Sequence, residues 1–407
     1  ELVSARVGNR IAWAMDEKGL RNIYVAEGPD FKPRKLTNYA EDDGQEITSI
    51  SITNNGKWVV FVRGGDHGSN FDGLKPVNPA GKTNPTPVQV WQIPFQGGPL
   101  RFISDGDEPS ISPINDVVVF IKDGQPWVSK LDTVMNDEFL EIPVPVLKTR
   151  GQVSQVKWWP DGSKLAFVAN RGDHSFIGWL AYGSNQISWL DPSFSKDSSP
   201  RWSPDGKNIA FIRTPATGGS VDSLTLRKRI EWSIRTVALT GEPSKLIWSA
   251  PKSYRGSLPT TQGGTNLFWA QNDRITFTSY QDGWPHLYSV PASGGTPLLL
   301  TPGDFMVEHV SLGHDGKYLL FDANTGPDAL DKDRRHIARV SVDKADMKVL
   351  SPGNGNEWTA ISVDDHAGYV YIGSSPQKPP QIMVSQGNGS AKSLTADLIP
   401  KEYPSNA

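Results

Sequence analysis

Short hydrophobic runs recur along the whole chain, and each is entered from a polar turn. The clearest copies are Trp159-Pro160-Asp161-Gly162-Ser163-Lys164 before Leu165-Ala166-Phe167, and Trp202-Ser203-Pro204-Asp205-Gly206-Lys207 before Ile209-Ala210-Phe211. Weaker copies are Asn54-Asn55-Gly56-Lys57 before Trp58-Val59-Val60-Phe61, and His314-Asp315-Gly316-Lys317 before Tyr318-Leu319-Leu320-Phe321. Proline presets one turn dihedral, and Asp-Gly supplies residues that tolerate a positive φ, so each turn is expected to join two antiparallel strands. In that register, second strands begin near Ile11, Trp58, Val117, Leu165, Ile209, Ile275, Tyr318 and Tyr369, at spacings between 43 and 66 residues. A third strand follows, such as 89–93 or 286–290. Then comes a Gly-Gly turn, Gly97-Gly98 or Gly294-Gly295, and a short fourth strand such as 298–301. Alternation within these runs is that of half-buried strands, and no segment keeps a helical period over three turns.

A period in the forties with insertions predicts an all-β chain: a β-propeller of about eight four-stranded blades, with seven as the alternative count. The first unit reads as irregular, because its N-terminal side lacks a clear opening strand. An open solenoid or a sandwich fits less well, since solenoid coils are shorter and sandwiches do not repeat.

Composition changes this picture little. Glycine and proline are abundant, at 39 and 32 of 407 residues, as many tight turns require. Fourteen tryptophans suit strands with large buried contacts. The net charge of −3, with no Lys/Arg-rich run, argues against a nucleic-acid partner. No apolar stretch is long enough for a membrane-spanning helix. The absence of cysteine removes disulfides, thiolate metal sites and cysteine nucleophiles together. The chain begins Glu1-Leu2-Val3 without a methionine, which reads as a processed or trimmed start.

The expected blade topology separates two faces. First-to-second and third-to-fourth turns lie on one, and these read as short. Second-to-third loops and the links between blades lie on the other. That second face takes the insertions, 64–88, 214–231 and the link 251–265, and long loops on a rigid scaffold are where binding usually sits. Polar chemistry collects there too. Arg63, Asp66 and His67 follow one second strand, and Arg171, Asp173 and His174 follow another. Asp282, Trp284 and His286 occupy the corresponding region of the sixth unit, Arg334, Arg335 and His336 that of the seventh, and Arg255 lies in the link between the fifth and sixth. Four histidines thus read as equivalent positions. A mouth lined by Arg, Asp and His would suit a peptide terminus or a partner surface, because arginine forks match carboxylates. The alternative is that Asp–His pairs brace the loops, once per blade.

No catalytic residue is identified. The chain lacks a G-x-S-x-G elbow, an H-E-x-x-H motif and a P-loop. The acidic pairs Asp42-Asp43 and Asp364-Asp365 read as solvated turns, and Glu41-Asp42-Asp43-Gly44 lacks the ligand spacing of a calcium loop. No metal and no cofactor is expected.

The stretches 199–211 and 156–167 resemble the repeats shared by TolB and by prolyl oligopeptidase-family serine peptidases. Asn170-Arg171-Gly172-Asp173-His174-Ser175-Phe176-Ile177-Gly178, residues 279–291 and residues 300–308 resemble the N-terminal propeller of bacterial dipeptidyl-peptidase-like members of that family. The resemblance covers essentially the whole chain. It implies a propeller over 1–397 that gates access and orients short peptides for an α/β-hydrolase domain carrying the Ser, Asp and His triad. That domain would follow a linker beginning in 398–407. A TolB-like periplasmic protein-binding scaffold is the alternative. The resemblance also implies a periplasmic or extracellular location. Dipeptidyl peptidase IV relatives hold the substrate amine with an adjacent Glu-Glu pair. This sequence has no such dipeptide, so no family binding residue carries over one for one.

Overall fold

A computed structural model describes residues 1–68, 75–79, 81–131, 142–216, 229–351, 353–363, 368–387 and 391–404. Regular structure among them is almost entirely β, with three short 3-10 turns. The strands fall into eight consecutive antiparallel meanders over residues 2–35, 47–105, 107–145, 152–190, 196–249, 268–299, 307–349 and 356–393. The fold class is the β-propeller, and each meander is one blade. The second strands are Arg10–Glu17, Trp58–Arg63, Val117–Lys122, Lys164–Asn170, Asn208–Thr214, Arg274–Ser279, Tyr318–Ala323 and Tyr369–Ser375, all within one residue of the positions expected from the turn register.

Two expectations need correction. The first blade has its opening strand, Leu2–Ser4, which pairs with the second through Leu2↔Trp13 to Ser4↔Ile11; its brevity is what hides it in the sequence. The third-to-fourth connections are not all short. In the third blade, Gln125–Lys130 and Val144–Pro145 are separated by 131–143, of which 132–141 lie outside the described residues.

The chain divides into two compact units, residues 1–171 with 178–188, and residues 172–177 with 189–407. In the first unit, alternate residues of one second strand enter different cores. Val59 and Phe61 pack with Ile23, Val25 and Ile93, whereas Val60 and Val62 pack with Val118, Phe120 and Leu131. The second unit repeats the device: Leu319 and Phe321 join Leu287 and Phe305, while Tyr318 and Leu320 join Ile337 and Tyr371. Second strands are therefore buried on both faces, which is why they read as continuous apolar runs and not as alternating ones. At the fourth residue of seven second strands stands a ring, Trp13, Phe61, Phe120, Phe167, Phe211, Phe277 or Phe321, and all seven are fully buried. Each such burial stabilises by roughly 1.5–3 kcal/mol.

The first strands carry a feature that the pattern of side chains did not announce. In six blades the register slips by a β-bulge, and a non-glycine residue at the slip takes a positive φ: Ser49, Glu108, Gln155, Ser199, His309 and Thr359. A bulge bends its strand and frees a backbone N–H from the ladder. Three of these freed groups find carboxylates from the preceding blade. Ile50 N donates to Glu1 Oε2 (3.2 Å), Gln155 N to Glu108 Oε2 (2.9 Å) and Thr359 N to Asp322 Oδ1 (3.2 Å). The fourth and fifth sheets are continuous through a parallel pairing of Ser175 with Lys196, inside the second unit.

Candidate functional site

In the first unit, Arg63 ends a second strand and its Nη2 donates to Asp43 Oδ2 at 2.7 Å, with the guanidinium 4.1 Å from the centre of the Tyr39 ring. Burial would raise the Asp43 carboxyl, but Arg63 and the backbone N–H of Gln45 hold it below its ordinary value. Asp43 is thus a paired group and not the solvated turn expected. Its fellow candidate pair, Asp364-Asp365, lies outside the described residues. His67 lies between two carboxylates, Nδ1 at 3.0 Å from Glu46 Oε2 and Nε2 at 2.7 Å from Asp107 Oδ2. The bond to Asp107 pushes the imidazole up to about 9, against partial burial and with help from Glu46. Asp66 precedes this clasp in the loop. Arg171 donates to Thr149 Oγ1 at 3.0 Å.

Beside Asp107 the first unit has a cavity of about 550 Å³, lined by Pro76, Pro87, Asp105, Glu108, Asp123 and Asn170 among others. It is flanked by the tight turn Asp123-Gly124 between the second and third strands of the third blade and by Pro76, Pro87 and Val88 of the longer connection 64–88 in the second. Burial pushes the Glu108 carboxyl up.

In the second unit, Asp173 Oδ1 lies 2.6 Å from His174 Nδ1, and the imidazole packs against Phe176 and Phe194 with ring centres 5.0 and 5.9 Å away. His286 Nδ1 is 2.6 Å from Asp282 Oδ2. His336 has Nε2 3.0 Å from Asp331 Oδ1 and Nδ1 2.7 Å from Glu357 Oε2. Burial alone would lower His336, but the two carboxylates prevail and raise it. Arg334 bonds Asp331, and Arg335 bonds Glu308 at 2.6 Å.

The four histidines are not equivalent. His286 and His336 share one register, each opening a third strand opposite the last residue of the second, as Ser279↔His286 and Ala323↔His336. His174 stands one residue before its third strand, and His67 stands far ahead of Gln89–Pro94. Gln89, opposite Arg63, takes the shared register position in the second blade. Accessibility also separates them, since His286 and His336 have no exposed surface. Spacing along the chain could not show this, because the loops between second and third strands differ in length.

Tyr254 and Arg255 lie on the 3-10 turn Tyr254–Gly256 of the link between the fifth and sixth blades. The Arg255 guanidinium reaches over Gly283, with Nη1 2.9 Å from where a Cβ of that glycine would stand. Trp284 follows, partly exposed. Sequence reasoning missed Glu46, Asp107 and Glu357, which lie 21 to 40 residues from their histidines and are brought to them by the fold, and it passed over Asp331, only five residues before His336 on the 3-10 turn Ala329–Asp333.

Residues 254–381 match the family model of the dipeptidyl peptidase IV N-terminal region. The chain is similar to the N-terminal propeller of prolyl oligopeptidase-family peptidases. The match to this dipeptidyl peptidase region opens at Tyr254 and takes in Arg255, Asp282, Trp284, His286, Arg334, Arg335 and His336. Among solved structures, Porphyromonas gingivalis dipeptidyl peptidase 4 aligns at TM-score 0.61 and 14% identity, over 97% of this chain and 58% of that one. A structure from a study of two prolyl endopeptidases aligns at TM-score 0.53 and 12% identity, over 96% and 49%. The β-propeller domain of the Trilobed protease from Pyrococcus furiosus aligns at TM-score 0.52 and 14% identity, over 88% and 99%. The chain thus spans about half the length of the first two and the length of an isolated propeller domain. No curated protein matches the sequence.

Proposed function

We propose that the chain is the propeller domain of a serine peptidase of the prolyl oligopeptidase family, and that it narrows access and orients short peptides for an α/β-hydrolase domain carried elsewhere in the same protein. The observation that carries this reading is the sequence match of residues 254–381 to the dipeptidyl peptidase IV N-terminal region. It is supported by a fold that corresponds to about half of each of two solved peptidases. The absence of a nucleophile elbow from this sequence fits a division of labour in which the triad belongs to the other domain. The work left to the propeller is positioning, which lowers the barrier by holding the scissile bond near its attack geometry. On the same resemblance we place the parent protein in the periplasm or outside the cell.

A serine-directed fluorophosphonate tests this. The 407-residue chain is expected to stay unlabelled, and the product of the whole gene to be labelled at one serine and to cleave short peptides. Labelling of the chain by itself, or a whole gene that encodes no G-x-S-x-G domain, would overturn the reading.

A further inference from the structure

The arginines singled out in the sequence differ in one respect that bears on ligands. Arg63, Arg171, Arg334 and Arg335 are each hydrogen-bonded to a side chain of the protein. Arg255 is exposed and has no hydrogen-bond or ion-pair partner among the described residues. The backbone that carries it is held. Its 3-10 turn is closed by Gly256 N to Ser253 O (3.0 Å) and Ser257 N to Tyr254 O (3.1 Å). Only glycine fits at 256, since a Cβ there would stand 1.9 Å from the Pro251 carbonyl oxygen. The link is tied to the loop beneath it by the Tyr280 hydroxyl, which accepts from Thr260 N (2.8 Å) and Thr261 N (2.9 Å). The guanidinium lies over Gly283, its Nη1 2.9 Å from where a Cβ there would stand, and Gly283 has φ +112°. The nearby Asp282 is already engaged, with Oδ2 on His286 and Oδ1 accepting from Trp284 N.

Ordering a long cationic side chain costs rotamer entropy. Here the fold fixes the backbone that carries the side chain, which removes part of the ordering cost and favours binding. A free guanidinium fork matches a carboxylate bidentately. Tyr254, 74% exposed, and Trp284, 37% exposed, are the sequence neighbours of Arg255 and Gly283 and offer apolar surface for the adjoining residue of a ligand.

We infer that Arg255 is a docking residue for the carboxylate of a short peptide, with Trp284 and Tyr254 receiving the side chain beside it. The inference rests on the peptide-handling role proposed above and names one subsite of it. Calorimetric titration of the purified chain with Gly-Pro-Phe, its C-terminal amide, and amidated Gly-Glu-Phe tests it. The free acid is expected to bind about tenfold more tightly than the amide, as one charge-assisted pair allows. Arg255→Gln should abolish the difference without weakening the amide, and Arg255→Lys, which keeps charge but loses the fork, should keep only part of it. Amidated Gly-Glu-Phe binding like the free acid would assign the carboxylate to an acidic side chain, and binding like the amide would assign it to the chain terminus; both support the docking role. Equal binding of acid and amide, or a preference that survives in both variants, overturns the inference and leaves the peptidase reading standing. Failure of all three peptides to bind overturns the inference and removes peptide binding by the isolated propeller from that reading.

Discussion

A buried charge needs a partner, and strand pairing is one way this fold delivers it. Asp197 has no exposed side-chain surface and lies directly across the strand pair from Arg213, whose Nε and Nη2 reach its two oxygens at 2.7 and 2.8 Å. Arg213 also holds Asp191, through Nη1 at 3.0 Å. Burial still pushes the Asp197 carboxyl up despite the guanidinium, the signature of an ion pair whose desolvation is expensive. Arg213→Met is therefore expected to destabilise by about 3–5 kcal/mol, because it strands a buried carboxylate, whereas Arg213→Met with Asp197→Leu should recover most of the loss. Urea unfolding of the single and double variants checks both. His67 gives the matching pH prediction. Its folded pKa, about 9, lies above the ordinary 6.5, so its contribution to stability is full below pH 6.5 and is lost as the pH rises through 9. The urea midpoint should fall between pH 6.5 and 9.5 and fall less in His67→Gln; an unchanged slope in the variant would show that the clasp with Glu46 and Asp107 does not titrate.

The blade is the element in which local and distant forces meet. Its turns obey local chemistry. Gly162, in the clearest of them, has φ +71°, and Gly97 and Gly98 turn the third strand into the fourth at +96° and +142°. Two glycines of the first unit separate backbone strain from steric exclusion. Gly183 has φ +85° with nothing near a Cβ, while Gly151 has φ +80° and would place a Cβ 2.0 Å from the Asn170 carbonyl oxygen. Gly183→Ala is expected to cost about 1–2 kcal/mol, from the left-handed conformation alone. Gly151→Ala should cost clearly more, since backbone must also move, and thermal denaturation of the pair measures the difference. The bulges show the opposite balance. Thr359 keeps φ +56° although it is β-branched, and nothing in its own stretch of sequence asks for that. Its N–H is met by Asp322, a residue of the preceding blade. The turn and the second strand were therefore legible in the sequence, and the bulge was not.

At the scale of the whole molecule, the blade recurs because a second strand buried on both faces needs a neighbouring blade against each, as Trp58–Arg63 shows inside the first unit and Tyr318–Ala323 inside the second. That requirement made the repeat readable: the buried ring at the fourth position and the turn before it recur on a fixed local spacing. The same logic made the loops unreadable. Insertions are tolerated between second and third strands at small entropic cost, so positions counted along the chain drift out of register. The four histidines looked alike in sequence for this reason, and only His286 and His336 proved equivalent.

The sequence by itself determined the fold class, the starts of the second strands and the family resemblance, since all three rest on short-range pattern: turn residues, apolar runs and their period. The tertiary structure alone decided which polar residues are spoken for. Glu46, Asp107 and Glu357 reach their histidines across loops and neighbouring blades, and of the arginines singled out in the sequence Arg255 is the one without a hydrogen-bond or ion-pair partner among the described residues. Pairing across strands is a long-range event, and no local pattern encodes which charge will find a partner and which will be left for a ligand.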